Sequence, residues 1–346
     1  MSVKNPSKST LSNSVPWIEK YRPKSLDEIS HHRDIINMLK NCLQKNDMPH
    51  LLFHGPPGTG KTSSAIAICR ELYGAELFPS RVFELNASDD RGINAVRQKI
   101  KYYARLAAGA KTLEDGRKTP AFKIIILDEA DSMTREAQDA LRVIIEENSH
   151  VTRFIFICNY HNQIIEPIKS RCAIFHFQPL SHDSMISKLQ EISKREEVKC
   201  SSGVIEMIIS ISKGDMRKAI MTLQNLKYIQ DVRVHLKGSS KLEKKDVMDI
   251  SGYMDPEICG KILKRCLTHD LNSVIELAQM IINESYPIDI FIVQMNEICM
   301  ESKDLTDLQK AQIIIHGAEV QKRIIECADE ELQLKSYLGQ IYSVTH

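Results

Sequence analysis

Residues 55–62 read GPPGTGKT, directly after the apolar run HLLFH and directly before a helical pattern that continues SSAIAICREL. No other stretch restricts the fold so tightly. The string fits G-x-x-x-x-G-K-[ST], a turn whose backbone wraps a phosphate group. Gly58 and Gly60 let the chain turn so that successive N–H groups point inward at phosphate oxygens. The helix that follows presents its positive end to the same place. Lys61 supplies a point charge for the outer phosphates, and Thr62 an oxygen for Mg²⁺. Gly55, Pro56, Pro57 and Thr59 fill out the loop, and Ser63 enters the helix. Such a loop needs a buried strand before it and a helix after it, so the chain must hold an α/β layer around it.

The rest of that layer lies between residues 50 and 177. VFELNA (82–87), FKIIILDEAD (122–131), TRFIFICNY (152–160) and AIFHF (173–177) are short, rich in β-branched and aromatic residues, and apolar on both faces. Those are the marks of buried strands in a parallel sheet. Between them come SSAIAICRELYG, closed by Gly74, and TREAQDALRVIIEEN. Strands alternating with helices predict an α/β fold made of βαβ units. After Pro179 the strand pattern stops. SHDSMISKLQEISKREE, capped by Ser181, and SGVIEMIISISKGDMRKAIMTLQNLKYI, broken at Gly214, predict a small helical domain. The polar, Lys-rich stretch 231–246 reads as a linker, and residues 249–346 read as helical again. The expected division is a disordered tail at 1–14, an α/β domain at 15–178, and helical domains at 179–240 and 241–346.

Charge and cysteine content narrow the function classes. Forty-six basic residues against 45 acidic ones leave a net charge of +1, so any nucleic-acid contact must come from a local stripe rather than a global field. The nine cysteines are scattered and form no C-x-x-C pair, which fits reduced thiols and excludes a zinc ribbon. No apolar run approaches the roughly 20 residues that span a bilayer. The first residues, MSVKNPSKSTLSNS, lack the apolar core of a secretory signal.

IIILDEAD at 124–131 is an apolar strand ending in adjacent acids. At that place Asp128 can hold Mg²⁺ and Glu129 can orient and deprotonate an attacking water. Asn159, at the tip of FIFICNY, can hold the same water or touch a terminal phosphate, though an Asn at a strand end is also an ordinary turn former. The letters DEAD suggest a helicase, but such helicases need a second α/β domain, and everything after Pro179 looks helical.

Taken together, PWIEKYRPKSLDE, GPPGTGKTSSA, ELNASDDRGI, ILDEADSMT, FICNY, IIEPIKSRC and GDMRKAI resemble the AAA+ clamp-loader family, in particular the small subunits of eukaryotic replication factor C. The resemblance implies an AAA+ P-loop NTPase domain, a helical lid, and a C-terminal helical collar that holds five subunits together. It implies ATP hydrolysis that depends on neighbouring subunits. Arg171, in Ser-Arg-Cys, would then project into the ATP site of the adjoining subunit, and only Glu166 stands out nearby as an acid partner for it in the chain. Arg217 would reach from the lid to the γ-phosphate, and Val15, Tyr21, Arg22 and Pro23 would line the adenine pocket.

The resemblance also implies a sliding clamp and primer–template DNA, bound without sequence preference, and a nuclear location. Arg97, Lys101 and Arg105 recur at four-residue spacing on one helix face, with Arg91 just before it. Such a stripe can follow a phosphate backbone; it is also what a solvated helix face looks like. Arg135 and Lys169 are further candidates, and Tyr102 and Tyr103 match the region that meets the clamp. Val143 stands where relatives often carry a second basic residue. Two other readings compete. One is a structural ring subunit that binds nucleotide and contributes mainly Arg171. The other is a different AAA+ remodeller such as a branch-migration motor, for which the expected winged-helix domain is missing.

Overall fold

The computed structural model describes residues 15–29, 33–45, 47–87, 93–106, 109–112, 116–237, 241–268 and 271–345. The expected tail at 1–14 and the expected DNA contact Arg91 lie outside the described residues, as does the side chain of Arg97.

Nine helices and five strands follow one another up to residue 237 among the described residues: α1 (Trp17–Lys20), α2 (Arg33–Lys45), β1 (His50–His54), α3 (Lys61–Arg81), β2 (Val82–Asn86), α4 (Ile93–Arg105), β3 (Lys123–Asp128), α5 (Arg135–Asn148), β4 (Thr152–Cys158), α6 (Glu166–Lys169), β5 (Cys172–His176), α7 (His182–Arg195), α8 (Val204–Ser212) and α9 (Met216–Lys237). The strands form one parallel sheet in the order β2-β3-β4-β1-β5. Because side chains alternate along a strand, the sheet splits its apolar residues between two layers. Leu51 and Phe53 of β1, Ile124 and Ile126 of β3, and Ile155 and Ile157 of β4 pack with Ala65, Ile68, Cys69 and Leu72 of α3 and with Leu39 of α2. Leu52, Ile125, Leu127, Phe154 and Phe156 turn the other way, onto Ile100 of α4, Leu141 and Ile145 of α5, and Ile168 of α6. That is why the strand runs look apolar on both faces.

By contacts the chain divides into two compact units, one holding the residues up to Val198 with Ile208–Gln224, the other Lys199–Met207 with everything from Asn225. The second unit adds α10 (Lys244–Ser251), α11 (Pro256–Thr268), α12 (Leu271–Asn283), α13 (Ile288–Glu301), α14 (Asp307–Ile325) and α15 (Glu330–Thr345). Its core repeats at helical spacing: Cys259, Ile262, Leu263 and Cys266; Val274, Leu277, Ala278 and Ile281; Ile288, Phe291, Ile292, Met295 and Cys299; Leu334, Leu338 and Ile341.

Several local expectations change. Gly74 does interrupt the helix (φ 64, ψ 175), but helix resumes beyond it to Arg81. Ser181 occupies the cap position of α7, yet its hydroxyl donates to Ser184 Oγ at 2.8 Å rather than capping the backbone. The stretch read as a linker is mostly helical, since α9 runs to Lys237 and α10 starts at Lys244 behind a Glu243–Asp246 capping box. Over 231–237 the polar sequence belongs to helix, and residues 238–240 lie outside the described residues.

Candidate nucleotide site

The phosphate loop leaves the carboxyl end of β1 and enters the first turn of α3. Two of its glycines are required by close approach as well as by φ. At Gly55 (φ +144) a Cβ would stand 2.1 Å from the Phe177 carbonyl oxygen, and at Gly58 (φ +71) 1.7 Å from Asp215 Oδ1. The loop is thus threaded beneath the residue after β5 and against the start of α9.

Lys61 is 7% exposed and reaches back into this loop. Its Nζ donates to the carbonyls of Gly55 (2.7 Å) and Pro56 (2.8 Å) and to Asn159 Oδ1 (3.0 Å). Burial holds its pKa below the ordinary lysine value, with Asp128 pulling the other way. Beside it, Thr62 Oγ1 donates to Asp128 Oδ2 at 2.8 Å. Glu129 adopts a left-handed conformation (φ 53, ψ 39), and its N–H donates to Asp128 Oδ1 at 2.9 Å. Strained backbone of this kind gathers at functional sites. The last acid of the DEAD string has a structural job: Asp131 Oδ2 accepts the N–H groups of Asn159 (3.0 Å) and Tyr160 (3.1 Å). It pins the end of β4, and with it the Asn159 amide that meets Lys61.

One cleft unites these groups. Pro57, Gly58, Thr59, Gly60, Lys61, Thr62, Ser63, Asp128, Glu129 and Asn159 line it, together with Tyr21, Arg22 and Pro23 and, from the lid, Arg217. The start of α9 is joined to the loop by Met216 N–H to the Gly58 carbonyl (3.3 Å). Asp215 Oδ1 accepts the N–H groups of Arg217 (2.8 Å) and Lys218 (3.1 Å). Three expected residues do not line the cleft. Val15 is exposed, and Gly55 and Pro56 face Lys61 with their carbonyls instead. The lining also includes Ile18, Glu28, Ile29, Leu180, Lys188, Met216 and Ile220, which the sequence reading missed. They come from segments far apart in the chain, and no local motif joins them. At the ends of β1 and β5, the His54 ring also packs with His161 (centroids 4.7 Å) and His176 (4.8 Å). Burial, then these two rings and Lys61, hold the His54 pKa down.

Arg171 does not enter this cleft. Its Nη1 donates to the Pro167 carbonyl (2.7 Å) and its Nη2 to Glu146 Oε1 on α5 (2.6 Å), and its side chain is 39% exposed. Glu166, the acid that stood out in the sequence, pairs with Lys169 at 2.7 Å instead. Of the basic stripe, Lys101 is exposed on α4, Arg105 lies 3.5 Å from Glu147, and Arg135 is exposed at the start of α5. Lys169 is mostly covered. None of the nine cysteines is paired in a disulfide, and burial lifts Cys172 and Cys158 to about 12. Among the described residues no His/Cys/Asp/Glu group could hold a metal as a cluster, and no helix is long and apolar enough to cross a membrane.

Known proteins match this chain over nearly its full length. The family of ATPases associated with various cellular activities matches residues 51–180, an AAA+ ATPase lid family matches 187–227, and the replication factor C C-terminal domain matches 254–340. Replication factor C subunit 4 of Arabidopsis thaliana is 46% identical over 94% of each chain. The human replication factor C subunit 4 is 42% identical over 94% of this chain and 88% of that one. Among solved structures, the Thermotoga maritima RuvB Holliday junction branch migration motor superposes with a TM-score of 0.51 over 80% of this chain and 91% of that one. At 18% identity it shares the fold alone. With identity this high over nearly full length, and with all three domain families in order, the chain belongs to the small subunits of replication factor C, AAA-type ATP hydrolases that act within a clamp-loading complex.

Proposed function

We propose that this subunit binds ATP with Mg²⁺ in the cleft and hydrolyses it as one step in placing a sliding clamp on primer–template DNA in the nucleus, and that its own Arg171 serves the next subunit's site. The observation that carries the reading is the split between Lys61 and Arg171. Lys61 turns inward onto Asn159, while Arg171 is exposed and absent from its own cleft. The Thr62 hydroxyl and the Asp128 carboxylate, 2.8 Å apart, are a hard-oxygen pair suited to Mg²⁺. When bound there, the ion would draw charge off the phosphates.

The chain's own groups divide the remaining work. The loop amides and Lys61 hold the phosphates, Glu129 takes the proton of the attacking water, and Asn159 orients it. Arg217 reaches the nucleotide from the lid, so that occupancy and lid position are coupled. Tyr21, Arg22 and Pro23 form the base side. Arg171 adds the last positive charge to a γ-phosphate held elsewhere. The chain associates with other replication factor C subunits, and the large exposed apolar side chains Leu308, Ile315, Ile325 and Leu332 of the C-terminal helices suit a collar of five. Lys101, Arg105 and Arg135, with Arg91, Arg97 and Lys169, would follow the DNA backbone, and Tyr102 is exposed where the clamp would meet α4. A merely structural ring subunit gains no support, since Lys61, Glu129 and Asn159 are all in place.

The test is reconstitution with the other subunits and a primed template. Wild type should load the clamp at a rate that needs ATP. Reversing charge at Lys101 and Arg105 should weaken DNA binding across sequences and lower the salt slope by about one per lost phosphate contact. Loading that ignores both changes would defeat the DNA part of the proposal.

A further inference from the structure

The base side of the cleft is hydrogen-bonded to the lid at both ends of its first helix. Ile18, Tyr21, Arg22 and Pro23 all belong to one short segment that begins with α1. At the front of α1, the Trp17 N–H donates to Gln224 Oε1 of α9 at 3.1 Å. At its end, the Tyr21 hydroxyl donates to the Glu196 carboxylate, which follows α7. The same carboxylate oxygen takes Lys20 Nζ at 2.6 Å, with the Glu196 side chain only 16% exposed. Trp17 is buried and meets Tyr21 edge-on (6.4 Å, 85°). The sheet layer takes hold only later, where the Leu26 N–H donates to Glu71 Oε1 of α3 at 2.7 Å. Between the two anchorages lies Arg22–Ser25, where Arg22 pairs with Glu19 and faces Glu84 of β2 as a charge, and the Lys24 N–H donates to Glu28.

The geometry points to Glu196 as a positioning residue for the nucleotide base: it fixes Tyr21 and the α1 segment to the lid, so that the base wall and Arg217 move as one body. Closing the lid then closes the cleft at both ends. Arg217 comes in at the phosphates, and Tyr21 with its neighbours at the base. A lid that opens takes the base wall with it, which gives nucleotide a way out without disturbing the phosphate loop. Charge-assisted hydrogen bonds such as the one between Tyr21 and Glu196 are strong and directional, so one carboxylate can hold the wall in a single pose. The inference rests on the nucleotide reading of the cleft.

Titration calorimetry of the full chain with ADP and, separately, with inorganic tripolyphosphate tests it. Tripolyphosphate engages the phosphate loop and has no base. Glu196→Ala should weaken ADP about tenfold, the effect of one good contact, and leave tripolyphosphate unchanged. Glu196→Gln keeps an acceptor for Tyr21 and should fall between. Tyr21→Phe removes one hydroxyl and should reproduce the alanine result even if Glu196→Ala fails to fold. Equal ADP affinity in wild type and Tyr21→Phe would overturn the proposal. So would parallel losses for ADP and tripolyphosphate, which would mean general loosening. Wild type that binds neither ligand would instead remove the nucleotide reading beneath it.

Discussion

Two cations, Lys61 and Arg171, are proposed for the same kind of reaction at two different sites, and they live in opposite surroundings. Lys61 is 7% exposed, with three oxygens of its own chain within 3.0 Å and its ammonium destabilised by burial. Arg171 has a 39% exposed side chain, one carbonyl and one surface carboxylate, and no place in the cleft. A buried lysine ringed by acceptors is organised to receive a ligand from within. An exposed arginine held by a replaceable partner is organised to be given away. On the proposed reading, the molecule completes the floor of its own site and leaves the last charge to a neighbour.

The contrast can be broken in several ways. Glu129→Gln removes the proton acceptor on the buried side, and turnover in the assembled complex should fall about 10²–10⁴-fold while ADP affinity barely moves. Similar losses in both would mean that Glu129 holds the loop rather than the water. Lys61→Ala should weaken ADP about 10- to 100-fold, because a charged hydrogen-bonding group is lost from a buried place. Retained affinity would contradict the inward role of that lysine. Gly58→Ala puts a methyl on a left-handed residue and into Asp215, and strain of about 1–2 kcal/mol should cost roughly tenfold in ADP binding. An unaffected affinity would show that the contact between α9 and the loop is dispensable. At the small end, Glu146→Gln loosens Arg171. Because both side chains are about 40% exposed, stability should change by less than about 1 kcal/mol in a urea titration. Turnover by the complex should persist, since the guanidinium is kept. A collapse of turnover would make the ion pair, rather than the free arginine, the functional object.

The two sides also differ in how far they could be read from sequence. The loop is contiguous, and Asp128 and Asn159 each end an apolar run, so strand ends pointed to them directly. The parallel sheet followed from apolar residues on both faces of each strand. Glu146 escaped notice because it is 25 residues from Arg171 and joined to it only through the packing of α5 and α6. Lys188 and Glu196 were invisible for the same reason: Tyr21 and Glu196 are 175 residues apart, and no periodicity carries such a pairing. The end of α9 was misread because the sequence beyond residue 230 is polar with exposed Val232 and Val234, so it lacks the apolar stripe that marks a packed helix.

The most direct test places Arg171→Ala in an otherwise wild-type complex on primed DNA and measures, in the same sample, nucleotide affinity of this subunit and hydrolysis at the adjoining site. Affinity here should be unchanged, and hydrolysis there should fall about 10³–10⁵-fold. Full hydrolysis next door, or a defect confined to this subunit's own cleft, would contradict the proposed role of Arg171.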